Sequence, residues 1–522
     1  MYSDNNILLG KSEDQEIFLE SSMANRHGII SGATGTGKTI TLKVLAESFS
    51  DAGVPVFFSD VKGDLSGTAY PGEASGSALE RVEKMGLNEK GFSFKGYPVN
   101  LWDVFGEGGM PLRTTVSEMG PLLLAKDMGL NDVQTDILSV IFRIADDEGQ
   151  LLLDTKDLKA MLTYAADNID KYSSEYGNIP KNSVNAIIRS IAALEAEGGD
   201  MFFGEPAIDI SDLIAVDSNG RGKINILDAR KLILHPAMYS TFLLYLLSEL
   251  FEVLPEVGDM EKPKMVFFFD EAHLLFDGIS PALLQKVEQV VKLIRSKGVG
   301  IYFVTQDPSD VPDGIMNQLG NKVQHALRAY TPKEIKAVKQ AAETYRANPA
   351  FDTLETIQSL GTGAAVVSLL DTKGIPKMAE KIKVLPPSSR MGAVTDAERE
   401  SLIKENLLYT KYKDMIDRES AYETLKKRVA SDAEAENEAA AAKEEEKQRA
   451  AAEKEEEKRR AAEQKAEIAA AVKAERERIK EEERKKKEAE RTRKAITREV
   501  GKTVSQLGRS VGRSILGNLF RR

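Results

Sequence analysis

The chain has no cysteine among its 522 residues. Disulfide bonds, cysteine-ligated zinc, iron–sulfur clusters and thiol catalysis are therefore excluded. Histidine is also scarce, and its four copies are scattered, without the H-x-x-x-H pair that places two metal ligands on one helix face. We therefore expect no histidine metal site. The histidines are His27, His235, His273 and His325.

Long apolar segments and targeting signals are lacking as well. The most apolar stretch, residues 241–254, contains Glu249 and Glu252, and it is too short and too charged to span a bilayer. The first residues show no basic segment followed by an apolar one, so they do not resemble a signal peptide. We expect a cytoplasmic protein. The net charge of -11 argues against a protein that is basic throughout, although local basic patches remain possible.

Residues 32–39 have the G-x-x-x-x-G-K-T pattern of a phosphate-binding P-loop. Glycines let such a loop curl and direct successive N–H groups at phosphate oxygens. An apolar run before it and a helical pattern after it predict a strand–loop–helix unit, whose helix dipole favours a bound phosphate. We expect the lysine to reach the β- and γ-phosphates of ATP and the last threonine to bind Mg²⁺. The residues are Gly32, Ala33, Thr34, Gly35, Thr36, Gly37, Lys38 and Thr39.

A second catalytic signal is a run of five apolar residues, 265–269, followed by Asp270 and Glu271. A continuously apolar strand is typical of a parallel sheet that is buried on both faces. We expect Asp270 to hold Mg²⁺, through water or together with Thr39, and Glu271 to act as general base on the attacking water. The alternative is a buried strand that ends in two solvated acids.

Three further polar residues follow predicted strands or helices. Gln306 comes directly after the apolar run 299–305 and is a candidate for contact with the γ-phosphate or the water. Arg328 ends a predicted strand over 322–328, and Arg295 ends a predicted helix. Either arginine is a candidate for neutralising charge at the nucleotide of a neighbouring subunit, or else a simple surface charge. Asp60, after a predicted strand over 54–59, orients a water or Thr39, or else it closes a turn.

Periodicity predicts an α/β core with a parallel sheet, interrupted by helices. We also expect an edge strand over residues 92–97 and a core role for Trp102, the only tryptophan. The expected segments are a first part of the core with the P-loop (1–104), a mostly helical insertion (105–220), a second part of the core with the acidic pair and Gln306 (221–390), a helical connector (391–430), a charged helix (431–495) and a basic amphipathic segment (496–522).

The last two segments differ sharply in composition. Residues 431–495 consist almost entirely of Ala, Glu, Lys, Arg and Gln, with acidic residues three or four positions before basic ones, which stabilises an isolated helix. Few apolar residues occupy any heptad seam, which favours a solvated helix over a strong coiled coil. Residues 496–522 alternate apolar and basic positions at helical spacing, and a membrane surface, nucleic acid and a protein are equally suitable partners.

Four segments together resemble the HerA/FtsK group of RecA-like motor ATPases, and most closely the bacterial YjgR family with its HerA-like C-terminal helicase domain. They are the P-loop at 32–39, FSDVKGD at 58–64, FFFDEAH at 267–273 and YFVTQDP at 302–308. The resemblance implies a RecA-like fold, a hexameric ring that passes nucleic acid through its centre, and a sensor role for Gln306. We expect the chain to depart from HerA proper in lacking a β-barrel domain before the P-loop, which weakens any inference of a nuclease partner.

The leading hypothesis is thus a Mg²⁺-dependent ATP hydrolase that assembles into a homo-oligomer, with a hexamer suspected, and translocates or remodels DNA. An alternative is a P-loop ATPase that acts on a protein or a membrane-associated partner. A third hypothesis is a nucleotide-binding scaffold that hydrolyses ATP slowly.

Overall fold

A computed structural model describes residues 1–13, 15–258 and 260–496 of the chain. The chain divides into two compact units, of which the first is Met1–Arg428 and the second begins at Val429. The first unit contains the sheet and the candidate site, and the second is helical where it is described.

Within the described residues, thirteen strands form one sheet in the order β1-β2-β13-β12-β11-β4-β10-β9-β5-β8-β6-β7, with β3 paired to β2. The strands are β1 (Tyr2–Ser3), β2 (Asn6–Lys11), β3 (Glu16–Glu20), β4 (Gly28–Ser31), β5 (Val56–Asp60), β6 (Val99–Asp103), β7 (Met110–Pro111), β8 (Ile224–Asp228), β9 (Met265–Phe269), β10 (Val299–Thr305), β11 (Asn321–Gln324), β12 (Ala364–Ser368) and β13 (Glu380–Val384).

The strands from β11 to β7 in this order are all parallel, and those from β1 to β12 pair antiparallel. All residues of β9 and β10 are buried, because side chains cover both faces of the parallel part. This explains why their sequences are continuously apolar. The short apolar runs at residues 7–9 and 17–19 lie in the antiparallel pair β2–β3.

Helices cover the sheet, and α3–α9 lie in sequence between β7 and β8 as a helical insertion. The helices are α1 (Lys38–Asp51), α2 (Gly76–Lys84), α3 (Val116–Asp127), α4 (Asp132–Asp147), α5 (Thr155–Asp167), α6 (Ile169–Tyr176), α7 (Lys181–Ala196), α8 (Gly199–Phe202), α9 (Ile210–Leu213), α10 (Pro236–Val253), α11 (His273–Phe276), α12 (Pro281–Ile294), α13 (Asp313–Met316), α14 (Pro332–Glu343), α15 (Thr353–Ser359), α16 (Asp396–Lys404), α17 (Tyr409–Tyr412) and α18 (Ala421–Ile496).

Two strand predictions were wrong: one strand does not form, and the other is shorter than predicted. Residues 92–97 form no strand, because their backbone pairs with loops: Lys95 N donates to Ser388 O and Tyr97 N donates to Thr68 O, at 3.0 Å each. The strand expected over 322–328 ends at Gln324. Beyond it, the oxygen of Ala326 accepts a hydrogen bond from the P-loop rather than from a neighbouring strand.

Trp102 is fully buried, as expected for a core residue. Its Nε1 donates to Asn225 Oδ1 at 3.0 Å, and its ring makes an edge contact with Tyr412. Among the described helices, none is long and apolar enough to cross a membrane.

The second unit begins within α18, and its side chains over 429–490 are exposed. Pairs such as Arg460 with Glu456 and Lys485 with Glu481 bridge successive turns, as the charge spacing predicted. Of the basic amphipathic segment, only Ile496 is described, as the last residue of α18, and the predicted partners of 497–522 concern residues outside the described part.

Candidate active site

The P-loop connects the carboxyl end of β4 to α1, between the ends of the neighbouring strands β10 and β11. Gly32 N donates to Thr305 O at 3.3 Å, and Ala33 N donates to Ala326 O at 2.8 Å. The start of the loop is therefore fixed from both sides. Farther along, Thr36 O accepts a hydrogen bond from Gly363 N at 2.9 Å.

At two glycines of the loop, an added side chain would be sterically crowded and would require an unfavourable positive φ. At Gly32, with φ of +151°, a Cβ atom would lie 2.5 Å from His325 Cβ. At Gly37, with φ of +119°, it would lie 3.2 Å from the backbone of Gly363. Any larger residue would have to push the loop out of the curl that phosphate binding requires.

His325 lies directly beneath the loop and is fully buried. Its Nδ1 is 2.9 Å from Ala364 O, which can only accept, so Nδ1 carries the proton and Nε2 accepts from Thr41 Oγ1 at 2.8 Å. Burial lowers the pKa of His325 to about 4, which keeps the ring neutral in this role. The sequence analysis treated His325 only as one of four scattered histidines. Its place just past β11, at the sheet edge that carries the P-loop, was the available signal.

Lys38 is the first residue of α1, and its ammonium turns back to its own loop. Its Nζ donates to Gly32 O at 2.5 Å and to Ala33 O at 3.2 Å. Burial lowers the pKa of Lys38, and the nearby Glu271 carboxylate opposes that shift. The cation is therefore partly desolvated beside the loop that is shaped for phosphate.

One small pocket brings the two main sequence signals together. Its walls include residues from the P-loop, from the segment after β5 and from the acidic pair after β9. Because β4, β5 and β9 are parallel strands of one sheet, their carboxyl ends meet at this edge. The lining includes Lys38, Thr39, Asp60, Lys62, Asp270 and Glu271.

Asp270 is partly buried and is fixed by two hydrogen bonds. Its carbonyl oxygen accepts from Tyr239 Oη at 2.8 Å, and its Oδ1 accepts from Glu271 N at 3.0 Å. Burial raises the pKa of Asp270 to about 7, and the neighbouring Glu271 carboxylate adds to the shift. A cation at this position would offset both causes.

Glu271 has an unusual backbone, with φ of +49°. A residue other than glycine in this left-handed region costs about 1–3 kcal/mol, and such strain occurs often at functional sites. Its buried Oε2 has no hydrogen-bond partner, and the nearest basic atom, His273 Nδ1, is 3.5 Å away. The carboxylate is thus positioned in the pocket with one oxygen still able to accept a proton or a hydrogen bond.

The contacts of Asp60 support its turn role. Its carboxylate accepts hydrogen bonds from the N–H groups of Gly63 at 2.7 Å, Asp64 at 3.1 Å and Leu65 at 2.8 Å. Burial raises the pKa of Asp60 to about 6. The Asp60 carboxylate therefore stabilises the turn after β5, and this turn places Lys62 at the pocket.

Gln306 contacts the P-loop through Thr34, and the two candidate arginines contact other parts of the chain. Gln306 Oε1 accepts from Thr34 Oγ1 at 3.3 Å. Arg328 is exposed four residues beyond β11, and its guanidinium donates to the backbone oxygens of Gln358 and Leu360. Arg295 lies just before β10, at the sheet edge opposite the P-loop. A role of either arginine at a neighbouring subunit stays a prediction.

The sequence matches the family described as "Helicase HerA-like C-terminal" over residues 5–522. The chain belongs to this family. The resemblance drawn from the four motifs is thereby confirmed, and so is the RecA-like P-loop fold with a helical insertion and a long charged C-terminal helix. The chain is an ATPase of the HerA-like family.

Two archaeal relatives of the HerA-like chain are named DNA double-strand break repair helicase HerA. The protein from Sulfurisphaera tokodaii is 24% identical over 381 residues, which cover 70% of this chain and 67% of the relative. The protein from Sulfolobus acidocaldarius is 22% identical over 378 residues, with the same two coverages. The chain thus spans about two thirds of the length of these curated relatives.

Solved structures that align with the chain include VirB4 of Thermoanaerobacter pseudethanolicus, at a TM-score of 0.48 and 16% identity over 74% of this chain and 97% of that one. The bacterial conjugative coupling protein TrwB aligns at a TM-score of 0.45 and 13% identity, over 70% of this chain and 87% of that one.

The donors for a metal in this HerA-like site are few. Across the described ranges, no group of three or more Asp, Glu or His side chains is placed to hold a metal ion. Thr39 and Asp270 line the same pocket and offer the hard oxygen ligands that Mg²⁺ prefers. This donor set fits Mg²⁺ only if phosphate and water oxygens complete the coordination.

Proposed function

We propose that this HerA-like chain is a Mg²⁺-dependent ATP hydrolase that works as an oligomeric ring motor on DNA. The proposal of ATP hydrolysis rests on one observation, the pocket that is shared by Lys38, Thr39, Asp270 and Glu271. The DNA part is supported by membership of the helicase family and by the printed names of the two archaeal relatives. The hexamer and a cytoplasmic location remain predictions from the sequence.

In this proposal the chain binds the triphosphate through its own loop and helix. The N–H groups of the P-loop and the dipole of α1 hold the phosphates, and Lys38 moves from the loop oxygens to the β- and γ-phosphates. Thr39 and Asp270 would hold Mg²⁺, which when bound supplies positive charge at the phosphates.

Glu271 is the proposed general base. Its Oε2 is buried in the pocket without a hydrogen-bond partner, so it can accept a proton from a water placed beside the γ-phosphate. Gln306, which contacts the P-loop through Thr34, is placed to orient the same water. A correctly positioned base contributes about 10²- to 10⁴-fold to the rate of such a reaction.

The variant Glu271→Gln tests this assignment, because it keeps the shape of the side chain but removes the base. We expect it to bind ATP normally and to lose turnover by about 100-fold or more. Lys38→Ala should instead lose nucleotide affinity. Glu89→Gln, at an exposed position away from the pocket, is the matched control and should behave like the wild type. Normal turnover of Glu271→Gln would remove the general base from the proposal.

The DNA part is tested by ATP turnover with and without duplex DNA, together with the native mass from light scattering. Stimulation by duplex DNA and a mass of several chains support the motor. Turnover that is indifferent to DNA favours the alternative, an ATPase that acts on a protein or membrane-associated partner. Turnover near zero in all conditions favours the nucleotide-binding scaffold.

A further inference from the structure

Lys62 is a cation of the candidate site that takes no part in the proposed steps of hydrolysis. It belongs to the segment 58–64, and it lines the same pocket as Lys38 and the acidic pair, which we call the nucleotide pocket. The turn that carries Lys62 has a fixed shape, because the Asp60 carboxylate accepts three backbone N–H groups and Gly63 has a φ of +80°. The backbone of Lys62 is therefore held beside the nucleotide pocket.

The turn by itself does not indicate a function. The same D-x-K-G pattern recurs at residues 371–374, where Asp371 Oδ1 accepts from Lys373 N at 2.9 Å and Gly374 has a φ of +76°. Because β12 runs antiparallel to β11, the segment that follows β12 lies at the sheet edge opposite the P-loop. The two lysines thus share a local pattern, and of the two it is Lys62 that lines the nucleotide pocket.

Lys62 and Lys38 come to the nucleotide pocket from opposite sides of the acidic pair. In the sheet, β5 and β10 are the two neighbours of β9, whose end carries Asp270 and Glu271. Lys62 follows β5, whereas Lys38 follows β4, on the far side of β10. Under the proposed function the γ-phosphate lies beside the acidic pair, so it has one lysine on each side.

The ammonium of Lys62 is not engaged by the protein. Its side chain is exposed, and among the described residues it makes neither a hydrogen bond nor an ion pair. Lys38, by contrast, donates to two oxygens of its own loop. Burial and the Glu271 charge raise the pKa of Asp270, and the charges of Lys62 and Lys38 oppose this rise. Lys62 therefore acts electrostatically on the site without being tied to one protein group.

Neutralising the acids of the nucleotide pocket is the alternative role for Lys62. The carboxylates of the lining are those of Asp60, Asp64, Asp270 and Glu271. Asp60 is already satisfied by three backbone N–H groups, and within the described ranges no acidic side chain forms an ion pair with Lys62. Hydrolysis gives a stronger reason for a second lysine, because the transition state of phosphoryl transfer spreads negative charge over the oxygens of the γ-phosphate.

We propose that Lys62 is a second phosphate-binding cation, which contacts the γ-phosphate of ATP and stabilises the transition-state charge from within the same subunit. The role is that of an arginine finger supplied in cis. The inference rests on the proposed function and adds to it a residue that distinguishes ATP from ADP. Lys38 and the P-loop reach the β-phosphate, which both nucleotides have, whereas a contact to the γ-phosphate exists only with ATP.

The experiment measures the affinity of the full chain for ADP and for the non-hydrolysable ATP analogue adenylyl imidodiphosphate. Both displace a fluorescent ADP in the presence of Mg²⁺, and ATP turnover and the melting temperature of the nucleotide-free chain are recorded as well. Lys62→Gln removes the charge, and Lys62→Arg keeps it. Lys373→Gln is the matched control, because it removes an exposed lysine from the other D-x-K-G turn.

Lys62→Gln should weaken binding of the ATP analogue about tenfold, the effect of losing one hydrogen bond to a charged group, and should leave the affinity for ADP unchanged. Its kcat should fall about 100-fold, because one group that stabilises the transition state is lost. Its melting temperature should stay that of the wild type. Lys62→Arg should keep the wild-type preference for the analogue over ADP, and Lys373→Gln should match the wild type in every measurement.

Three results would overturn the inference. If Lys62→Gln binds both nucleotides and turns over ATP like the wild type, Lys62 does not contact the γ-phosphate, and the proposed function stands. If Lys62→Gln weakens the binding of ADP and of the analogue equally, Lys62 supports the pocket as a whole and does not recognise the γ-phosphate, and the proposed function again stands. If the wild type hydrolyses no ATP, the proposed function fails and the inference fails with it.

Discussion

Asp127, the last residue of α3, is a carboxylate in an unfavourable place. Its Oδ2 is buried without a hydrogen-bond partner, and a negative charge at a helix C-terminus opposes the helix dipole. Burial raises the pKa of Asp127 from 3.8 to about 7, and the charge of Glu197 adds to the shift. We predict that Asp127→Asn stabilises the first unit above pH 7.

The sign of this pH dependence follows from the number of protons that the folded and the unfolded states bind. Between about pH 4 and pH 7, the folded chain keeps a proton on Asp127 and the unfolded chain does not, so stability falls as the pH rises. Above pH 7 the folded protein bears a buried, unpaired charge. A shift of about 3 pKa units sets an upper bound of about 4 kcal/mol, and we expect about 1–2 kcal/mol after local relaxation.

Calorimetric melting between pH 5 and pH 8 measures the effect. For a unit of 428 residues, 1 kcal/mol shifts Tm by about 1 °C. We expect Asp127→Asn to melt about 1–2 °C above the wild type at pH 8 and above it by less than half of that difference at pH 5, where the unfolded chain is already ionised at this position. Asp136→Asn, at an exposed position on α4, should show no such pH dependence. An equal difference at both pH values would refute the reasoning, because the gain would then not depend on ionisation.

Two further substitutions test the core and the loop. Asn225→Leu should lower the free energy of unfolding by about 4 kcal/mol or more. It removes the hydrogen bonds that Asn225 makes with the side chains of Asn100 and Trp102 and with two backbone oxygens. A loss below about 1 kcal/mol in urea unfolding would contradict this prediction. Gly32→Ala should weaken ATP binding about tenfold or more while the protein stays folded, since the new Cβ would lie 2.5 Å from His325 Cβ. Gly361→Ala, where a Cβ has open space, is its control, and equal ATP affinities for the two variants would speak against the steric argument.

Much of the site was predictable because its signals are local. The P-loop and the apolar strand before Asp270 each specify a strand end by themselves, and parallel pairing of both strands with β10 then brings the two ends to one edge. The role of His325 was not predictable in this way. It depends on Thr41 and Ala364, which are 284 and 39 residues away in sequence, and no pattern around a single histidine indicates such contacts.

The positions of charged residues relative to the strands could have supported further predictions from the sequence. In a parallel sheet, residues that follow a strand lie at one edge and residues that precede a strand lie at the other. Gln306 follows β10, and it contacts the P-loop. Arg295 precedes the same strand, so its own sequence position already placed it at the opposite edge. Lys292 lies one helical turn earlier, and Arg26 precedes β4 in the same way. The order of charged residues relative to buried strands therefore separates the nucleotide edge from the opposite edge of the sheet before any side-chain contact is known.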